Sequence, residues 1–305
     1  RARRARGVTV TNIPAYSTDA VAQHVFALIL HQANRVAEHA QSVAEGGWVR
    51  CPDFCYWGSP LTELSGKTLG IYGFGNIGRK VAEIAHANGA LLSVDNTFAS
   101  PLNQKPLALG ADFVVEALTK FINGHGDAQG GAIISNDLQT MERIRYEAQV
   151  NVGSVISPFN AWQIFRGSVT FPLRMRQINE STQRIAEWLE QRKNVTFVSY
   201  PGLPSNPGHA LAKKQMKNGY GGVISFGLDT DDKTVERFCA ALKVVTFAVS
   251  LGHDESLIFP QPSYDERIAL YPEKFRKGFI RFSVGLEDVE DIIADLDQGL
   301  RAVGL

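Results

Sequence analysis

The sequence predicts an α/β fold: a mostly parallel sheet with helices on both faces, followed by a smaller α+β C-terminal domain. Three observations carry this. Short apolar runs of strand length recur at Thr68–Tyr72, Leu91–Val94 and Phe113–Ala117. A glycine-rich loop and a helical stretch, Arg79–Ala87, separate the first two, which is the arrangement of a crossover between parallel strands. Beyond about residue 160 the character changes. Strands at Val195–Tyr200, Gly222–Leu228 and Phe279–Val284 are set among helices at Val235–Ala241 and Val289–Arg301.

The remaining elements follow in order. The opening Arg1-Ala2-Arg3-Arg4-Ala5-Arg6 is expected to be the exposed end of a helix rather than a nucleic-acid arm, and Val8–Asn12 a short strand. A long helix is predicted from about Thr18 to about Gln41, with Asp19 in its first turn and Val21, Val25, Leu28 and Ile29 on one face. Trp48–Pro60 is an aromatic and proline-rich loop. Gly89 closes the Arg79–Ala87 helix. Further helices are expected at about Gln139–Ala148, Asn160–Phe165 and Pro172–Gln191. The chain divides into segments 1–90, 91–159 and 160–305.

Composition narrows the function. Apolar residues make up 44% and charged residues 20%, as in ordinary globular enzymes. Lys plus Arg and Asp plus Glu balance at 31 each, so nothing favours nucleic acid or an anionic membrane. Three cysteines, Cys51, Cys55 and Cys239, form neither a disulfide framework nor a metal quartet, which points to a reducing cytoplasm. His125, His209 and His253 have no metal-ligand spacing and read as structural or solvated.

Chemistry concentrates in Leu91–Asp127. One apolar run ends in Asp95-Asn96-Thr97 and the next in Thr119-Lys120. An acid and a lysine ending consecutive buried strands suit a pyridoxal phosphate site. The lysine bonds the cofactor's aldehyde carbon, and the acid keeps the pyridine nitrogen protonated so the ring can accept electrons. Gly73-Phe74-Gly75-Asn76-Ile77-Gly78 is the competing signal, a dinucleotide fingerprint between a strand and a helix. Asp95, ending the next strand, stands where an acid would meet the ribose hydroxyls. The expectation is pyridoxal phosphate, with NAD(P) disfavoured. Gly73, Gly75 and Gly78 are then a tight strand-to-helix turn that keeps the form of a dinucleotide loop.

Two resemblances divide the chain. Residues 1 to about 85, through GVTVTNIPAYSTDAVAQHVFALIL and LSGKTLGIYGFGNIGRKVAEIA, resemble the D-isomer-specific 2-hydroxyacid dehydrogenases of glycerate dehydrogenase or hydroxypyruvate reductase type. Residues from about 84 to 305 resemble the Cys/Met-metabolism pyridoxal-phosphate enzymes: cystathionine γ-synthases, γ-lyases, methionine γ-lyases and homoserine sulfhydrylases. GALLSVDNTFASP, LTKFINGHGD, PLRMRQ, YPGLPSNPGH, VSLGHDESL and FIRFSVGLEDVEDIIADLDQGL carry that likeness. The chain reads as chimera-like, joined within residues 81–90.

The second resemblance implies a fold type I large domain into which a Rossmann-like β-loop-α segment is grafted. It also implies roles. Lys120 is the cofactor lysine, Asp95 the partner of the pyridine nitrogen, and Thr97 and Thr119 the polar neighbours of ring and phosphate. Arg281 clamps the substrate carboxylate, and Ser250 stands beside substrate and Lys120. Glu116-Ala117 replaces the family's usual His-Ser, which removes a hydroxyl expected at the phosphate. Val249 replaces an acid found in several γ-synthases and γ-lyases, which leans toward the methionine γ-lyase or sulfhydrylase branch. The family's N-terminal elements, a phosphate loop and a stacking tyrosine among them, are not among the matching stretches. The implied reaction is γ-elimination or γ-replacement on a methionine-, cystathionine- or O-acylhomoserine-like amino acid. The expected assembly is a homo-dimer or tetramer, with no nucleic-acid or membrane partner. Two alternatives stay open: an NAD(P)-dependent D-2-hydroxyacid dehydrogenase fragment, and a fused chain that folds without catalysing.

Overall fold

A computed structural model describes residues 18–52, 56, 58, 60–64, 69–70, 76–264, 271 and 273–305. The Val8–Asn12 strand, Gly73, Gly75 and Cys55 lie outside the described residues. The chain separates into two compact units, Arg1–Ser93 and Val94–Leu305.

The first unit contains α1 (Thr18–Asn34), α2 (Val36–Ala44), α3 (Gly47–Arg50), β1 (Leu69–Gly70) and α4 (Asn76–Ala87). The single helix predicted to Gln41 is two helices. Arg35 takes a left-handed conformation, φ 50°, and breaks it. Its guanidinium bonds Glu38 at 3.0 Å, and its carbonyl accepts from the His39 amide at 3.1 Å, so the break also starts α2. The apolar face of α1 buries Ala22 and Ala33 but leaves Leu28 exposed. On α4, Val81, Ala82 and Ala85 recur at helical spacing and are buried. The Lys80 ammonium bridges Asp19 and Glu83 at 3.3 and 3.2 Å. Gly89, φ 75°, ends α4 as expected.

β2 (Leu92–Asp95) crosses the boundary between the units, and its first half runs parallel to β1, with Leu69 opposite Leu92. The second unit continues with α5 (Ser100–Asn103), β3 (Phe113–Ala117) and β4 (Gly131–Ile134). In the second unit the sheet order runs from β2 to β3 to β4. β4, absent from the sequence reading, adds an antiparallel edge with Ala117 opposite Gly131.

α6 (Leu138–Tyr146) is capped by Asp137, which accepts from the Thr140 amide at 3.1 Å. α7 (Pro158–Glu190) then runs for 33 residues. The two helices predicted at 160–165 and 172–191 are one helix, with Pro172 inside it. A proline there removes one backbone bond and costs about 3 kcal/mol. The buried face continues across it through Ile164, Gly167, Phe171, Met175, Ile178, Thr182, Ile185 and Leu189. Packing on both sides of the proline outweighs the local cost.

The C-terminal part holds β5 (Val195–Ser199), α8 (His209–Gln215), β6 (Val223–Leu228), α9 (Asp232–Ala241), β7 (Thr246–Phe247), β8 (Leu257–Pro260), β9 (Phe279–Ser283) and α10 (Val289–Ala302). Its strands order as β5-β6-β9-β8-β7, antiparallel except where β7 meets β8. β7 and β8 were not predicted; the two-residue β7 carries too little pattern to read. Ile224, Phe226, Ile280 and Phe282 alternate inward and pack with Ile185, Phe238 and Leu296. Among the described residues no helix is long and apolar enough to cross a membrane.

One carboxylate ties this core together. Asp295 on α10, 4% exposed, accepts from the amides of Lys243, Val244 and Val245 at 2.9, 2.8 and 2.9 Å and from the Gln298 amide at 2.9 Å. Burial pushes its carboxyl up, but these donors outweigh burial and hold it below the usual range. Its stabilisation is therefore present above the ordinary aspartate value and is lost as pH falls through the lowered one. Asp295→Asn should lower the unfolding free energy at neutral pH by about 2 kcal/mol. Urea unfolding should show that gap narrowing on acidification; a gap unchanged to acid pH would refute the assignment.

Candidate active site

The site begins where β2 and β3 end. At the end of β2, Asp95 Oδ1 accepts from the Thr97 amide at 3.0 Å and its hydroxyl at 2.6 Å. Both bonds fall on one oxygen, which leaves Oδ2 for another donor. The Thr97 hydroxyl accepts in turn from the Ala117 amide at 2.9 Å. The end of β3 therefore orients Asp95 through Thr97. Past β3 the chain turns sharply. Lys120 N donates to Ala117 O at 3.1 Å, and Gly124 N to Lys120 O at 2.7 Å.

The turn is held from α7. Arg174, 7% exposed, donates to the carbonyls of Phe121 at 2.9 Å, Ile122 at 3.0 Å and Asn123 at 3.2 Å, and to Gly167 at 2.8 Å. Its Nε donates to Thr170 Oγ1 at 3.0 Å. Gly124 (φ 71°) passes so close that a Cβ would lie 1.7 Å from the guanidinium. On the other side, a Cβ on Gly252 would lie 2.8 Å from Phe121 N. The Ser250 loop can reach the lysine turn only with glycine there.

Lys120, Ser250, Arg281 and His253 meet. Lys120 Nζ donates to Ser250 Oγ at 3.2 Å. Burial lowers the Lys120 pKa, and the positive charge of Arg281 lowers it further. Arg281 lies on β9 between inward Ile280 and Phe282, as its alternation predicted. Its Nη2 bonds the Val249 carbonyl and that of Ser250, the latter at 3.1 Å. The guanidinium carbon lies 5.9 Å from the centre of the Phe259 ring. Ser250 Oγ is also 2.9 Å from His253 Nε2. Thr119 sits apart from this cluster, its hydroxyl exchanging bonds with Gly130 N and O at 3.0 and 3.3 Å.

His125 and His209 are held by the carbonyls of Asn123 and Pro201 at 2.6 and 2.9 Å. Gly78 is buried in α4. Sequence reasoning gave Arg174 no role and read His253 as structural or solvated; the structure sets Arg174 against the lysine turn and His253 against Ser250. Arg174 shares helical spacing with buried Phe171 and Ile178, and a charge in such a stripe was the available signal. His253 had no periodicity to betray it.

Glu116, 4% exposed, accepts from Asn96 Nδ2 at 2.8 Å, and Asn96 also donates to Gln104 O at 3.2 Å. Burial raises its carboxyl to about 7; the Asn96 bond opposes this, and the charge of Asp95 adds to it. A folded value above the ordinary 4.5 means that Glu116's contribution to stability is full below that pH and is lost as pH rises to about 7. Glu116→Gln keeps the oxygen that Asn96 meets and cannot ionise. Relative to wild type it should gain stability between acid and alkaline pH by about 3 kcal/mol. Unfolding curves on both sides of neutrality test this; parallel pH profiles for the two proteins would refute it.

Comparison with known proteins relates the chain to two families. Residues 77–301 match the family model of the Cys/Met metabolism PLP-dependent enzymes, and residues 26–119 match that of the D-isomer specific 2-hydroxyacid dehydrogenase NAD binding domain. The chain is 48% identical over 227 residues to canavanine gamma-lyase of Pseudomonas canavaninivorans, covering 72% of this chain and 56% of that protein. It is 42% identical over 229 residues to L-methionine gamma-lyase of Fusobacterium nucleatum subsp. polymorphum, covering 73% and 58%. Among solved structures, cystathionine gamma synthase from Xanthomonas oryzae pv. oryzae, in complex with aminoacrylate and cysteine, aligns with a TM-score of 0.68. That likeness has 40% identity and covers 74% of this chain and 59% of that one. The chain thus spans little more than half the length of the curated relatives it matches. With the family model matching well over half its residues, the chain belongs to the Cys/Met metabolism PLP-dependent enzymes.

Proposed function

We propose that the chain carries the lysine side of a pyridoxal phosphate site for γ-elimination or γ-replacement on a methionine-, cystathionine- or O-acylhomoserine-like amino acid. The observation that carries this is the Lys120 amine, part-buried, held by Ser250 and lowered in pKa. Asp95, with Oδ2 left for a further donor, supports the same reading. These residues fit the aldehyde and pyridine ends of the cofactor. Ala117 brings no hydroxyl toward its phosphate. We further propose the segments 1–90, 91–159 and 160–305 as domains, a homo-dimer or tetramer, and a cytoplasmic setting.

Pyridoxal phosphate, when bound, supplies an aldehyde for the amino group and a protonated ring that accepts electrons from Cα. In this reading Asp95 holds the proton on the pyridine nitrogen through a charge-assisted bond. Lys120, its pKa lowered by burial and by Arg281, is the group placed to take the Cα proton. Arg281 binds the substrate carboxylate with its planar donors. The γ-lyase and γ-synthase relatives support departure of a substituent from Cγ.

A second reading, NAD(P) binding by a dehydrogenase fragment, has the match over residues 26–119 in its favour. Asp95→Asn separates the two. Mixed with pyridoxal phosphate, wild type should develop a visible absorbance band that is lost in Lys120→Ala. Asp95→Asn should abolish turnover of canavanine, methionine or cystathionine, because a neutral ring is a poor electron sink. Identical spectra for wild type and Lys120→Ala would remove Lys120 from the site. Micromolar NADH binding that Asp95→Asn weakens by about 1–3 kcal/mol would instead establish a ribose contact and the dehydrogenase reading. A normal cofactor band without turnover would identify a fused chain that binds and does not catalyse.

A further inference from the structure

We propose that His253 is a positioning residue for the Lys120 amine, acting through the hydroxyl of Ser250. The proposal rests on the reading of Lys120 as the cofactor lysine, and its test does not need the cofactor.

The hydrogen bonds leave little freedom. An ammonium only donates, so Ser250 Oγ accepts from Lys120 Nζ, at 3.2 Å. The hydroxyl's single hydrogen then needs an acceptor, and His253 Nε2 lies 2.9 Å away. His253 Nδ1 faces Glu255 Oε1 at 4.0 Å. In the tautomer with hydrogen on Nδ1, Nε2 is the acceptor for that hydroxyl. The chain His253, Ser250, Lys120 then has one consistent direction of donation. It fixes a lone pair of Ser250, rather than its hydrogen, on the lysine.

The fold makes room for the ring. A Cβ on Gly126 (φ 67°) would lie 2.9 Å from both Cε1 and Nδ1 of His253, closer than a side chain is tolerated. The His253 side chain is 16% exposed, so it is seated rather than solvated. The charged groups facing this chain are Lys120 from the turn after β3, Arg281 from β9, and Glu255 from the same loop as His253. Around Gly126, His125 and Asp127 are both engaged by Asn123.

Committing the Ser250 hydrogen to His253 denies a hydrogen bond to the lone pair of a neutral Lys120 amine, and so favours the ammonium. His253 thereby sets the charge state of Lys120 without touching it.

The test is competitive acetylation of the full-length, cofactor-free chain by acetic anhydride across a pH series, with Lys120 modification read by mass spectrometry. His253→Phe should move the Lys120 midpoint down by roughly half to one pH unit, the size of one lost hydrogen-bond preference. His253→Gln, whose side-chain oxygen accepts the same hydroxyl, should restore it. In a Ser250→Ala background His253→Phe should add nothing, and His253→Ala repeats the test without a ring to seat. An unmoved midpoint in both the Phe and Ala variants overturns the proposal. So does a Gln variant as low as Phe, or a shift that persists without the Ser250 hydroxyl. Because no cofactor is present, failure here is distinct from failure of Lys120 to bind pyridoxal phosphate.

Discussion

A single buried guanidinium sets where the lysine turn lies. Arg174 spends its donors on the carbonyls of Phe121, Ile122, Asn123 and Gly167 and on the Thr170 hydroxyl, which together fix the turn against α7. A charged donor bonded this way is worth about 1.5–3 kcal/mol per bond, and its loss would leave several buried carbonyls unpaired. Burial lowers the Arg174 pKa and the charge of Asp254 opposes this, so the 250–256 loop also answers to the clamp electrostatically. Residues on either side, Gly124, Gly167 and Gly252, are small because the backbone is drawn in to them.

From that anchor the polar residues sort into two connected sets. Asp95, Thr97 and Ala117 form the first, linked through the end of β3. Lys120, Ser250, Arg281 and His253 form the second, drawn from the turn after β3, the loop between β7 and β8, and β9. The Lys120 amide bonds the Ala117 carbonyl, so a short stretch of backbone joins the sets. Beneath the first set Glu116 is a buried acid near neutrality, placed where its ionisation acts on folding rather than on Lys120 directly.

Much of this was legible before any coordinates, and for a physical reason. Apolar runs bounded by polar residues located β2 and β3 and so placed Asp95 at the end of β2 and Lys120 close after β3, where the structure has it in a turn; Arg281 followed from its alternation with Ile280 and Phe282. What failed were features decided at a distance. Pro172 reads locally as a helix start, yet the buried stripe on both sides carries α7 through it. Arg35 is an ordinary helix former, and only its left-handed backbone breaks α1 from α2. His253 earns its contacts from Gly126, far away in sequence, and no local pattern encodes that meeting.

The bond between Lys120 and Ser250 spans 130 positions of sequence. Closing so long a loop is entropically slow, and contacts of this separation form late. During synthesis the lysine turn and α7 emerge well before β7, β8 and the loop between them. Until that loop arrives the Lys120 amine has no Ser250 oxygen to meet, and its surroundings are wetter. The chemistry of this amine is thus tied to completion of the C-terminal sheet, and a chain stalled before that stage would carry an ordinary surface lysine.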